Sequence, residues 1–412
     1  MQRFAAVVIP MQLEHHPSIS ILIGNPDAAC NQKAWKPFDE RVTNYLAELS
    51  RRLLATSSIR EFPDLVSLAF WCRPSALHRL QERHIGSQFL IGRGMAFHIP
   101  PSNVPLNFAY SLFCGLLSGN SNVVRLSSTE SAEVSTLVDL MSELNSDVAF
   151  GDVASRMCLL RYEHNDAITE LFSLKSAARV IWGGNETVRK IRGIPSAPRS
   201  VDVSFADRVS LALLKSSHIE KLSEEGLTQL VDNFIADGYT FEQNACSSPR
   251  LILWQGSDDS VSKASSMFWN ALDQRLSLKE TLSPAHHMLR FVELCEHLSQ
   301  NDLSGRLVNV AGAATRIELS GSEQWRNFSQ LRFGTFTEVT ISSLNEVADF
   351  VSGDVQTLAY CGFSTTEMSK MIDDLCMDGV DRVVPIGQAL NFDVFWDGYD
   401  LISTLVRTVV II

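Results

Sequence analysis

Two rhythms alternate along this chain. Short, nearly continuous apolar runs give way to longer stretches whose apolar residues recur every three or four positions, and the pair then repeats. "GMAFHI" (residues 94–99) predicts a strand. "VPLNFAYSLFCGLLSGN" (104–120) predicts a helix, with Pro105 near its first turn and Gly119-Asn120 as its stop. "NVVRL" predicts the next strand, Ser127 and Ser128 read as caps, and "TESAEVSTLVDLMSEL" is the helix behind them. The pattern continues with "MCLLRYE" as strand, "DAITELFSL" as helix, "ARVIW" as strand and "NETVRKI" as a helix start. After "RVSLALL", one long helix is expected over "IEKLSEEGLTQLVDNFIADG". The strand candidates beyond it are "LILW", "RIEL", "TEVTI", "QTLAY", "DRVVPI" and "VRTVVII". Alternation of this kind implies βαβ crossovers and mostly parallel sheets, so the expected fold class is α/β with two domains. Their boundary falls near residues 215–220, unmarked by any Pro/Gly-rich linker.

Composition narrows the function classes. The 412 residues are 45% hydrophobic and 20% charged, enough to build real cores. A formal net charge of −12 argues against nucleic acid as a partner. The densest basic stretch, "RKIRGIPSAPR" (189–199), is short and broken by prolines. The N-terminal apolar run is shorter than a signal peptide needs, and nothing approaches the ~18 apolar residues of a membrane span. No membrane span and a cytoplasmic location are therefore expected. Eight cysteines, at 30, 72, 114, 158, 246, 295, 361 and 376, form no CxxC pair and no zinc spacing. They read as free thiols, mostly buried. His286 and His287 are adjacent on a predicted helix, which is poor chelating geometry, and with His297 they read as helix surface. No metal site is expected.

Three stretches carry unusual chemistry. In "FHIPPSNVPLNF" (97–108), three prolines fix an asparagine at the end of a strand, where α/β proteins place ligands. A rigid turn would explain it; a held Asn103 amide could also donate to a developing oxyanion. In "GNSNVVRLSS" (119–128), Arg125, Ser127 and Ser128 are either an ordinary strand end and cap or a site for ribose or phosphate. In "FEQNACSSPR" (241–250), Cys246 sits among small polar residues. Most lone cysteines are inert, but a thiolate with room around it can attack a carbonyl carbon. The dinucleotide fingerprint GxGxxG is absent, since Gly92-Arg93-Gly94 precedes a strand.

Together these stretches resemble the aldehyde dehydrogenase superfamily, and within it the LuxC-type acyl-CoA (or acyl-protein thioester) reductases. "PSNVP" resembles the superfamily's Pro-x-Asn-x-Pro. "GNSNVVRLS" is similar to its Gly-Asn-x-Val-Val strand, with Arg125 where lysine is usual. "VIWGGNETV" (180–188) resembles its nicotinamide-side loop, at Gly184 and Asn185, and "FEQNACSSP" lies where the nucleophilic cysteine is expected. "DRVVPIGQALNFDVFWDGYDLI" (381–402) resembles LuxC-type chains specifically. The agreement runs over roughly residues 90–410, in order.

The resemblance implies an aldehyde-dehydrogenase-like fold. Residues 1–217 would be an N-terminal segment and nicotinamide-dinucleotide-binding domain, 218–390 a catalytic thiol domain, and 391–412 a segment returning to the first domain or to an oligomer interface. It implies that Cys246 takes the acyl group from a fatty acyl-CoA or acyl-protein, that hydride then releases the aldehyde, and that Asn103 and the Cys246 N–H form the oxyanion hole. The glutamate motif of hydrolytic members, Glu-Leu-Gly-Gly, is missing. The corresponding stretch "VDVSFADRVSLAL" offers only Asp202 and Asp207. An acyl-enzyme without that base should survive water, which favours a reductase over an aldehyde-oxidising enzyme giving an acid or acyl-CoA. The base for Cys246 stays unassigned. Glu242 reads as a solvated carboxylate, and His98, the one histidine near a predicted site, as a satisfied strand-end residue that gives no support to a cysteine hydrolase. Ser128 stands where NAD-preferring members carry glutamate, so with Arg125 beside it NADPH is the expected cofactor. Glu338 does not fall in register with the superfamily's other cofactor acid. The resemblance also suggests an acyl-protein synthetase partner and a homo-oligomer, with "TLVRTVVII" as a plausible edge. A non-catalytic subunit retaining the fold is the remaining alternative, and joint retention of Cys246, Asn103 and Arg125 argues against it.

Overall fold

The computed structural model describes residues 13–86, 88–277, 283–300, 306–309 and 314–411; the N-terminal apolar run lies outside them. Its contacts divide the chain into two compact units. The first is Met1–Ala206 with Asp393–Phe395 and Tyr399–Ile412, and the second is Asp207–Phe392 with Trp396–Gly398. The switch precedes the expected boundary because the strand Val209–Lys215 pairs inside the second sheet.

The sheet of the first unit runs Ser20–Gly24, Met157–Arg161, Ser121–Arg125, Met95–Ile99, Ala178–Trp182, Val201–Phe205. All neighbours are parallel except the edge strand Ser20–Gly24. From Met95–Ile99 the chain steps outward one way through two strands, then returns to build the other side from Ala178–Trp182. The order therefore reverses between those two strands, and their carboxyl ends open a crevice. Both strands are buried along their whole length, which is why they read as nearly continuous apolar runs, each interrupted by one buried polar residue, His98 or Arg179. The helix Ala132–Asn145 starts later than expected. Ser131, not Ser127 or Ser128, is its cap, with Oγ accepting from Val134 N at 3.3 Å.

The second sheet runs Arg306–Asn309, Thr315–Glu318, Thr335–Ile341, Pro249–Gln255, Val209–Lys215, Val355–Cys361, Arg382–Pro385, parallel apart from its first pair. The long helix expected after Val209–Lys215 is two: Ser216–Ile219 and Glu224–Tyr239. The break falls where Ser223 caps the second helix, its Oγ accepting from Gly226 N, with Glu224 and Glu225 in the first turn. Among the described residues no helix is long and apolar enough to cross a membrane.

The C-terminal strand Val406–Val409 pairs antiparallel with Phe89–Gly92. His84, at the end of the helix Pro74–His84, ties this segment down from the side. Its Nδ1 lies 2.6 Å from Leu80 O and its Nε2 3.1 Å from an Asp400 carboxylate oxygen. Both ring nitrogens face acceptors, so the geometry suits the imidazolium. Burial opposes that charge, but the bonds to Asp400 and Leu80 outweigh it and raise the pKa despite nearby Arg83.

Candidate functional site

In the first unit the crevice at the strand reversal is a cavity of ≈ 520 Å³. Asn103, Arg125, Ser127, Ser128, Trp182, Gly183 and Gly184 line it, with His164, which sequence reading passed over. Asn103 is exposed on the short loop between Met95–Ile99 and the helix Asn107–Leu117, with Pro105 just outside that helix. Gly184 is the N-cap residue of the helix Asn185–Gly193 and Asn185 its first residue. Arg125 is folded against Tyr162: its Nη2 donates to Tyr162 O at 3.3 Å and to His164 Nδ1 at 3.4 Å, and its guanidinium carbon lies 4.7 Å from the ring centre. Among the described residues no carboxylate lines this cavity. It is a locally basic place in a chain of net charge −12. Volume, hydroxyls, basic groups and a helix start suit a phosphate-bearing dinucleotide.

A buried polar chain stiffens the crevice walls. Trp182 Nε1 donates to Ser111 Oγ (3.3 Å), Ser111 Oγ donates to His98 Nδ1 (2.8 Å), and His98 Nε2 donates to Asn122 Oδ1 (2.9 Å). Gly115 is required by this packing, since a Cβ there would stand 2.0 Å from Asn122 Oδ1. His98 is thus a fully bonded core histidine. Burial lowers its pKa to about 4, with the bond to Asn122 opposing. Between pH 4 and 6.5 the unfolded chain binds the proton and the folded chain does not. His98 therefore contributes stability above pH 6.5 that is lost as pH falls, by about 3 kcal/mol at pH 4. His84 has the opposite sign. Its contribution is complete below pH 6.5 and is lost as pH rises through the raised folded value. We expect the first unit to be most stable near pH 6.5. Urea unfolding across pH checks this: His98→Gln should flatten the acid limb and His84→Gln the alkaline limb, and unchanged limbs would contradict it.

The second unit holds Cys246 in the turn before Pro249–Gln255, at the amino edge of its sheet. Register explains the position. Val209 pairs with Val355 and Ser210 with Pro249, so Asp207–Ser210, the Cys246 turn and Val355–Thr357 share one sheet end. The loop approaches through Phe241, Glu242 and Gln243, all left-handed, with φ of 57°, 50° and 62°. The fully buried Gln243 clamps it: Nε2 donates to Pro249 O (2.9 Å) and Thr335 O (3.0 Å), and Oε1 accepts from Gly334 N (2.9 Å). Ser210 Oγ donates to Cys246 O at 2.7 Å. The thiol is half-buried. Burial raises its pKa most. The Arg208 N–H and the Arg250 charge pull it down, and the charges of Asp397 and Asp207 push it up. Glu242 sits on the strained approach, half-buried.

Asp202 is committed to Arg179, with bonds of 2.7 Å from both Nε and Nη2. Glu338 is buried, accepting from Trp254 and Trp269 (2.8 Å each) and Arg316 (2.6 Å), so it is bonded into the core. The cysteines are not mostly buried: only Cys72, Cys114 and Cys158 are, while Cys295 and Cys376 are exposed. His287 is exposed, whereas His286 and His297 are half-buried against Phe333 and Phe328, because the helix Pro284–Gln300 lays one face on the unit. Among the described residues no group of three His, Cys, Asp or Glu could hold a metal ion.

Comparison with known proteins adds three findings. A family model described as acyl-CoA reductase (LuxC) matches residues 30–408. The chain is 21% identical over 268 residues to a long-chain acyl-protein thioester reductase of Aliivibrio fischeri, covering 61% of this chain and 52% of that one. It is 20% identical over 343 residues to long-chain acyl-protein thioester reductase 2 of Photobacterium leiognathi, covering 77% and 66%. The chain thus spans about half to two thirds of the length of these curated relatives. In fold it matches aldehyde dehydrogenase 21 from Physcomitrella patens, with a TM-score of 0.69 at 13% identity over 93% of this chain and 88% of that one. It also matches a lactaldehyde dehydrogenase, with a TM-score of 0.66 at 14% identity over 93% and 89%.

Proposed function

Because this chain belongs to the LuxC family of acyl-CoA reductases, we propose that it reduces a long-chain fatty acyl thioester, carried on CoA or on a protein, to the aldehyde, using NADPH. The observation that carries this reading is the Cys246 turn, a half-buried thiol whose main chain is fixed by Gln243 and Ser210.

In this reading Cys246 Sγ attacks the thioester carbonyl and the carrier thiol leaves. The Asn103 side-chain amide and the Cys246 N–H donate to the oxygen that turns anionic. Arg125, Ser127, Ser128 and the Gly184-Asn185 turn would hold the nicotinamide cofactor, which supplies the hydride when bound. The thiohemiacetal left on Cys246 then collapses to aldehyde and frees the sulfur. The commitment of Asp202 to Arg179 supports reduction over hydrolysis, since that carboxylate is not available to activate water. An acyl-protein synthetase as acyl donor, self-association through the Val406–Val409 strand and a cytoplasmic setting belong to the same proposal.

The test is direct. Protein incubated with radiolabelled fatty acyl-CoA should carry label on Cys246, and NADPH should discharge it as aldehyde. No label, or release as free acid, overturns the reading. The cofactor choice has its own test. Arg125→Glu should weaken NADPH on the order of tenfold more than NADH, a difference of about 1.4 kcal/mol, because guanidinium and 2′-phosphate are the pair removed. Fluorescence titration with both nucleotides measures it, and equal weakening would contradict the assignment.

A further inference from the structure

The strands Thr335–Ile341 and Pro249–Gln255 run side by side, with Thr337 opposite Leu251, so the segments that enter them lie together at the amino edge of the second sheet. One segment is the Cys246 turn. The other is Arg332-Phe333-Gly334, where Phe333 and Gly334 are also left-handed, at φ 58° and 80°. Gln243 joins the two segments once, through Gly334 N and Thr335 O. Arg332 joins them a second time. Its Nη1 donates to Asn244 Oδ1 at 2.9 Å and its Nη2 to Glu293 Oε1 at 2.5 Å, so one guanidinium spans the turn and the helix Pro284–Gln300. The same helix lays His286 flat on Phe333, with ring centres 5.2 Å apart and planes at 10°.

This contact dictates how the Asn244 amide faces. A guanidinium has donors and no acceptor. Asn244 must therefore turn its oxygen to Arg332, which turns its Nδ2 to Phe241 O at 3.0 Å. The Asn244 main-chain N–H donates to the same carbonyl at 2.8 Å. Together they close the turn over Phe241, Glu242 and Gln243, three residues held in a backbone region that L side chains leave when released. Cys246 follows two residues later, so the aim of its sulfur and of its N–H depends on that closure.

We infer that Arg332 is a positioning residue for Cys246, acting through Asn244. Its guanidinium keeps the Asn244 amide in the one orientation that closes the turn, and Glu293 anchors the guanidinium from the helix behind. The task differs from those of the other two supports. Ser210 holds the Cys246 carbonyl from below, and Gln243 ties the approach to the neighbouring strand. Lysine could not replace Arg332, because a single ammonium lacks the planar fork that reaches both Asn244 and Glu293.

This inference rests on the thioester reading above, and its test separates the two. Two rates are measured on wild type, Arg332→Met, Arg332→Lys, Asn244→Ala and the double variant Arg332→Met/Asn244→Ala. One is single-turnover release of CoA at saturating fatty acyl-CoA. The other is alkylation of Cys246 by iodoacetamide, read by peptide mass because Cys295 and Cys376 are exposed as well. Arg332→Met should slow CoA release on the order of 100-fold, the cost of a misaimed reacting group. Alkylation should instead rise several-fold, because a loosened turn uncovers a half-buried thiol. Arg332→Lys should stay slow in CoA release. The double variant should be no slower than Asn244→Ala alone, since both changes remove one contact. Wild-type CoA release in Arg332→Met or Arg332→Lys, single losses that multiply in the double variant, or unchanged or slower alkylation overturns the inference. If wild-type protein releases no CoA, the thioester reading fails by itself. The alkylation rates then decide, and equal rates in wild type and Arg332→Met overturn the positioning role.

Discussion

Cys246→Ser is expected to abolish acylation and aldehyde formation, by at least about 10⁴-fold in kcat, the scale on which losing a covalent nucleophile is felt. The serine hydroxyl differs from the thiol by one atom, so Ser210 and Gln243 should hold the turn unchanged. What changes is acidity. A hydroxyl is far harder to ionise than a thiol, and burial next to the charges of Asp397 and Asp207 would hold its proton more firmly still. Nicotinamide nucleotide binding should survive, because the cavity that would take it is lined by residues of the first unit. Quenched-flow measurement of CoA release, together with titration of NADPH on the same protein, checks both halves. Appreciable turnover in Cys246→Ser would mean that the thiol is not the nucleophile.

Asn103→Ala should lower kcat by about 10²–10³-fold with little change in KM, the usual effect of removing one oxyanion donor. The reasoning is that a side-chain amide interacts more strongly with an oxygen carrying full charge than with the ground-state carbonyl. Asn103 is exposed on a loop held by Pro100, Pro101 and Pro105. Its truncation should therefore shift stability within about 0.5 kcal/mol, as for ordinary surface positions. Steady-state kinetics beside a urea melt distinguish the two effects. A rise in KM with kcat intact would assign Asn103 to substrate binding instead.

Much of the architecture was legible because parallel strands buried on both faces are nearly continuous apolar runs, and the exceptions, His98 and Arg179, are fully bonded in the core. "MAFHI" and "ARVIW" could hardly be anything else, and their following loops are where the crevice forms. The Cys246 loop stood out in the sequence by its composition and its motif company. Its support did not. Gln243 carries no signal in the sequence: one glutamine among several, it matters because three separate main-chain groups converge on it. Nor do Phe241 and Glu242 announce left-handed backbone, which glycine or asparagine would have done. His84 and Asp400 are 316 positions apart, and only folding brings the C-terminal segment to that helix end. The misplaced cap is instructive too. Ser127, Ser128 and Ser131 look alike in sequence, and the first two line the cavity while the third starts the helix.

The left-handed run ahead of Cys246 has one more implication. Non-glycine residues held there cost roughly 1 kcal/mol each, so the three together oppose folding by about 3 kcal/mol. Gln243 offsets this with its three bonds, but the strain is kept in the native state all the same. Glycine at Glu242 would relieve part of it and also let the turn wander. Relief of backbone strain and order in the turn thus pull on the same residue in opposite directions.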